Sequence, residues 1–122
     1  MARSLALVAL GSALGGMARF GFYLLIAPRV SSGFPWWTLA VNVVGSFAIS
    51  WFSANAPVNA TSARQFVMTG ICGGFTTFSA FSLETLLLAR QGDLQKTLMN
   101  VVLSLTLCGV AVALGWQLGA RK

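Results

Sequence analysis

The chain has 122 residues, of which 57% are hydrophobic and only 8% charged, and it contains no histidine. A soluble domain carries roughly 25% charged residues, so this composition excludes an ordinary water-soluble fold and points to an integral membrane protein. The formal charge of +6 comes from basic residues scattered singly near the ends of apolar segments. Such residues are interfacial anchors and topology signals, which argues against nucleic acid as a partner and for the lipid bilayer.

Four apolar segments follow one another, each near the ~20 residues that a bilayer-spanning helix needs. They predict an all-α membrane protein in which residues 1–122 form a single four-helix transmembrane domain. The first segment runs from about Leu5 to Ala27 and ends at Pro28-Arg29. Arg3 before an apolar run is also how a secretory signal begins. The apolar character continues past Arg19 through Phe20-Gly21-Phe22-Tyr23-Leu24-Leu25-Ile26, too long for such a signal, so a retained span is expected. Gly11, Gly15, Gly16 and Gly21 permit close helix contact, and Gly11 and Gly15 form a G-x-x-x-G pair that serves contact either within one chain or between copies. Arg19 lies well inside the segment, where a charge is costly. It either stands at the mouth of an anion path or anchors at an interface by snorkelling and bonding backbone.

The second segment runs from about Trp36 to Ala54, with Trp36 and Trp37 as an interfacial belt. Asn42 sits mid-way. Its amide must face a partner or water in lipid, which leaves an interhelical hydrogen bond or a pore lining. Gly45 follows as a further close-contact position.

The third segment begins near Arg64, ends near Arg90 and contains Gly70-Ile71-Cys72-Gly73-Gly74-Phe75-Thr76-Thr77-Phe78-Ser79-Ala80-Phe81-Ser82. Each interior glycine costs a helix roughly 1 kcal/mol relative to alanine, so a break is expected over Gly73-Gly74-Phe75-Thr76-Thr77. Opened backbone survives in hydrocarbon only where protein, water or an ion satisfies it, and a break at this depth therefore predicts a site. Phe78 and Phe81 are three apart and share a helical face, ringed by the hydroxyls of Thr76, Thr77, Ser79 and Ser82. An aromatic ring has a positive edge, so rings presented edge-on attract an anion without the tight trapping of a buried Lys or Arg. Carbonyls freed by the glycines suit a cation held structurally. Glu84 closes the motif, at a vestibule or paired with a basic residue.

The fourth segment starts after Asp93-Leu94-Gln95-Lys96 and ends before Arg121-Lys122. Asn100, Ser104 and Cys108 recur every four residues on one face, while Thr106 lies off that row. Cys72 and Cys108 lack metal-ligand spacing and read as free thiols.

With four spans, Arg3, Arg64, Arg121 and Lys122 fall on one side of the membrane and Arg29, Arg90 and Lys96 on the other. That near balance chooses no orientation. It fits either a weakly biased protein or one inserted both ways as an antiparallel homodimer. Among function classes, an enzyme lacks the necessary histidine, Cys-His pair or cofactor motif. A proton-coupled exporter of lipophilic cations needs a deep carboxylate, and Glu84 near a span end is its sole candidate. A scaffold subunit leaves the polar positions in three spans without a purpose. A channel for a small anion accounts for them best.

These residues resemble the Fluc family of small fluoride channels, also called CrcB proteins. The resemblance covers nearly the whole chain, through Gly15-Gly16-x-x-Arg19, Thr38-Leu39-x-Val41-Asn42-x-x-Gly45 and the long motif from Gly70 to Glu84. It implies an antiparallel, dual-topology homodimer in the bacterial inner membrane, with two pores that passively export fluoride. By the same resemblance Phe78, Phe81 and Asn42 line the pore, Ser104 lies on the fourth-helix polar track and Arg19 stands at the vestibule; the hydroxyls of Thr77 and Ser79 are expected on the same ion pathway. Gly73 and Thr76 offer backbone carbonyls to a structural, non-transported Na⁺ at the dimer interface. Trp37, Ala80 and Cys108 depart from the pattern, where Gly, Thr and a hydroxyl residue are common.

Overall fold

The structure is a computed structural model that describes residues 1–30 and 32–120. Arg121 and Lys122, two of the basic residues weighed for orientation, lie outside the described residues. Among those described, four helical stretches are long and apolar enough to cross a membrane: Ala2–Arg29, Trp36–Asn55, Thr61–Arg90 and Leu94–Gly119. The chain is a multi-pass membrane protein.

Helix α1 spans Ala2–Ile26 and tightens into a 3-10 turn at Ala27–Arg29. Pro28 falls at the start of that turn, where a missing N–H costs nothing, and the Arg29 guanidinium donates to the Leu25 carbonyl. Helix α2 spans Trp36–Asn55, and the Trp36 indole donates to the Ser32 hydroxyl at 2.8 Å as the helix begins. The third span is composite. It comprises α3 (Thr61–Arg64), a π-helical stretch (Gln65–Cys72), α4 (Gly73–Phe75) and, after a two-residue interruption, α5 (Phe78–Arg90). Helix α6 spans Leu94–Gly119.

The fourth helix therefore starts earlier than the sequence suggests, because Asp93 caps it. The Asp93 carboxylate accepts from the Lys96 backbone N–H at 3.0 Å and pairs with the Lys96 ammonium at 3.2 Å. The backbone bond above all, then the ammonium, holds this carboxyl below the usual carboxylate range. Gly92 makes the preceding turn possible: its φ of +78° is open to glycine at little cost, and it lets the Asp93 N–H reach the Leu88 carbonyl at 3.2 Å.

Two close-packed seams hold the bundle. Along the first, α1 lies against the π-helical stretch and α4. A methyl group on Gly70 would meet Gly11 Cα at 2.8 Å, and one on Gly74 would meet the Ser12 carbonyl oxygen at 2.5 Å. Methyls on Gly11 and Gly15 would strike the carbonyls of Phe66 and Ile71. The G-x-x-x-G pair thus makes its contact inside the chain. Along the second seam α6 lies against α2: methyls on Gly115 and Gly119 would sit 2.5 Å and 2.6 Å from the carbonyl oxygens of Phe47 and Trp51. Without a hydrophobic drive between helices in lipid, this intimate van der Waals contact supplies much of the association.

Candidate functional site

The interruption of the third span is narrower than the glycine content implies. Gly73 and Gly74 are helical, and only Thr76 and Thr77 leave the helix, with ψ of 159° at Thr76 and φ of −151° at Thr77. The glycines serve approach to α1, while two β-branched threonines, with little helix preference, carry the break. Thr76 ends the first half by donating both its N–H and its hydroxyl to the Cys72 carbonyl, at 3.0 Å and 2.9 Å. Thr77 starts the second half: its hydroxyl accepts from the Ala80 N–H at 3.1 Å, an N-cap for α5.

Asn42 of α2 clamps the break from the side. Its Oδ1 accepts from the Thr77 N–H at 2.8 Å and its Nδ2 donates to the Thr77 carbonyl at 3.0 Å. In a continuous helix the Thr77 N–H would close on the Gly73 carbonyl; here Asn42 takes that donor. Both backbone groups of a buried residue are thereby satisfied at membrane depth. On the α1 side, Arg19 Nη1 donates to the Thr76 carbonyl at 3.4 Å.

Beside the break lies a groove of about 340 Å³ bordered by α2, the third span and α6. Asn42, Phe78, Phe81, Ser104, Gly73 and Thr76 all line it, together with Ser46, Cys72 and Cys108. None of its lining residues is charged. Phe78 and Phe81 have ring centroids 5.4 Å apart at an interplanar angle of 49°, and Phe78 is 75% exposed in the isolated chain. Thr77 and Ser79 are not among the lining residues; their hydroxyls face each other at 3.3 Å, with Thr77 buried and Ser79 exposed. Arg19 lines a separate depression with Gly16, Phe20, Tyr23 and Trp37.

Three contacts escaped the sequence reading. Glu84 accepts from the Thr38 hydroxyl at 2.6 Å instead of pairing with a basic residue. Asn100, the first member of the α6 row, turns aside to donate to the Thr85 hydroxyl at 2.9 Å, so Ser104 and Cys108 alone of that row line the groove. Ser50 donates to the Val112 carbonyl across the α2–α6 seam. The i, i+4 spacing of Gly115 and Gly119 was the available signal for that seam. Nothing local in the sequence pairs Thr38 with Glu84 or Asn100 with Thr85.

Comparison with known proteins agrees with this architecture. The family described as CrcB-like protein, Camphor Resistance (CrcB), matches residues 6–116. A protein of Opitutus terrae named fluoride-specific ion channel FluC is 55% identical over 88% of this chain and 86% of its own length. A protein of the same name from Paramagnetospirillum magneticum is 50% identical over 90% of each chain. One from Thermus thermophilus is 44% identical over 93% of this chain and 92% of its own. With nearly every residue of the four spans inside these matches, the chain belongs to the CrcB family, whose members are ion channels and not enzymes.

Proposed function

We propose that this protein is a fluoride-specific channel of the bacterial inner membrane that passively exports F⁻ from the cytoplasm. The observation that carries the reading is the uncharged groove of Phe78, Phe81, Asn42 and Ser104 in a chain half identical, over most of its length, to proteins named fluoride-specific ion channels. Ring edges and side-chain N–H and O–H groups attract a small anion weakly enough for it to leave again. Helix α5 begins at Phe78, so its electropositive N-terminus opens at the groove.

The groove of one chain is a single wall, and we assign the second wall to another copy. An antiparallel homodimer with two pores fits the near balance of basic residues that the sequence assigns to the two sides of the membrane. Na⁺ at that interface is the matching cation. The carbonyls of Gly73 and Thr76 both lie at the C-terminal, electronegative end of the first half-span, and both leave the helical ladder at the break, which suits a hard monovalent ion. The Thr76 carbonyl would be shared with Arg19, whose long contact leaves it a free lone pair. When bound, sodium supplies a fixed positive charge beside the groove.

The deciding experiment is voltage-driven efflux from proteoliposomes loaded with fluoride, with chloride as control and the proton gradient clamped. Fluoride efflux without chloride efflux is expected, and strict dependence on the proton gradient would favour an exporter instead. Replacing all Na⁺ with a large organic cation should abolish flux while radioactive sodium never crosses. A single cysteine near the C-terminus, in a background lacking Cys72 and Cys108, should be labelled about equally from both sides of sealed vesicles.

A further inference from the structure

The groove carries a feature that anion passage does not use. Cys72, at the end of the π-helical stretch, and Cys108, on α6, reach the same cavity from two different elements, and both are free thiols. Cys72 is buried to 5% exposure, while Cys108 is half-buried. The other polar groups lining the cavity, Asn42, Ser46, Thr76 and Ser104, offer hard oxygen and nitrogen atoms. No carboxylate or histidine is among the lining residues, so hard or borderline divalent ions find no ligand set there. Sulfur is the one soft donor, and it is present twice.

We propose that Cys72 and Cys108 form a binding site for soft, thiophilic metal ions, Hg²⁺ foremost, and that occupancy closes the groove to anions. Soft ions select thiolates and accept low coordination numbers, so two thiols suffice where a zinc site would need four ligands. Binding is a substitution without redox change. At the first thiol the S–H bond breaks and its proton leaves to water, a chloride or water ligand leaves mercury, and an S–Hg bond forms; the second thiol repeats the step. The product is an immobile metal thiolate in the groove that Phe81 and Ser104 also line, on the surface assigned above to fluoride. The blocking half of this inference rests on that channel reading; the binding half does not.

The test has two arms. On purified protein, mercury retained after gel filtration is counted and the ultraviolet absorbance of the mercury thiolate recorded. Retention should fall in both Cys72→Ser and Cys108→Ser and vanish in the double variant. Undiminished retention in the double variant would overturn the site. In proteoliposomes, HgCl₂ should suppress fluoride efflux, dithiothreitol should restore it, and the double variant, referred to its own unblocked rate, should be insensitive. Mercury bound at both thiols with efflux unchanged would overturn the block and count against this groove as the ion path, while the metal site stood. Absence of fluoride efflux in untreated wild-type protein would instead overturn the channel reading and leave the binding arm intact.

Discussion

The two halves of the third span, divided at Thr76 and Thr77, solve different problems with adjacent residues. In the first half, Thr61 to Phe75, the π-helical stretch and α4 are pressed backbone to backbone on α1, with Gly70 and Gly74 against Gly11 and Ser12. The second half, α5, stands away from that seam, exposing Phe78 while sending Glu84 and Thr85 into side-chain hydrogen bonds with α2 and α6. One half is held by absence of side chains, the other by polar side chains that find named partners. Rigidity before the break and an open face after it come from that contrast. Close backbone packing at these glycines tolerates no added methyl, whereas the hydrogen-bonded side chains hold α5 at a distance set by their own length.

The contrast is broken most severely at the seam. Gly74→Ala would place a methyl 2.5 Å from the Ser12 carbonyl oxygen, which backbone cannot avoid without moving α1. Overpacking of this kind costs typically ~1–3 kcal/mol, and the yield of monodisperse protein in detergent should drop sharply. Undiminished yield and melting temperature would show that the two helices are not in fixed contact.

Asn42→Ala attacks the junction itself. It leaves the Thr77 N–H and carbonyl without their side-chain partners, and an unsatisfied buried group costs ~1–3 kcal/mol. The expected result is faster amide exchange at Thr77 and reduced fluoride flux in protein that still assembles. Asn42→Asp, which keeps the acceptor and loses the donor, should protect the Thr77 amide better than alanine does. Equal exchange in all three proteins would show that Asn42 does not clamp the break.

On the open side, Phe78→Ile and Phe81→Ile separate ring chemistry from bulk. Isoleucine fills similar space but lacks an electropositive edge, so each should lower fluoride flux by about tenfold or more, equivalent to ~1.4 kcal/mol, with assembly unchanged. Near-normal flux in both would assign the rings to packing alone.

The smallest effects test the frame around the contrast. Gly109 on α6 has open space where a methyl would go, so Gly109→Ala should be neutral or stabilising by up to ~1 kcal/mol, unlike Gly74→Ala. At the start of α6, Asp93 has its folded-state pKa lowered by the Lys96 N–H and ammonium. Its contribution is therefore present above the unfolded carboxylate value and lost as pH falls through the lower folded one. Acid should fray the first turn of α6 slightly in the native protein and not in Asp93→Asn, as read by amide exchange at Lys96.

Much of this was legible without coordinates, and the reason differs from one feature to the next. The spans were readable because bilayer thickness translates directly into a length of apolar sequence: Trp36–Asn55 emerges within a residue of its expected bounds. Phe78 and Phe81 share the groove because residues three apart share a helical face, a property of the local helix alone. That the third span breaks was foreseeable from its glycines and threonines, but which of them open was not. A glycine looks the same in sequence whether it bends the chain or lets a neighbour approach, and only the position of α1 assigns Gly70 and Gly74 to the second role. The same holds for polar partners. Asn42 with Thr77, Thr38 with Glu84 and Asn100 with Thr85 join residues 35, 46 and 15 positions apart, distances over which helix periodicity carries no information. Sequence by itself determined the helices and their faces, since both depend on nearest neighbours and on the solvent. Tertiary structure decided which faces meet, because burying a polar group in lipid is tolerable only against the one partner that the packed bundle brings to it.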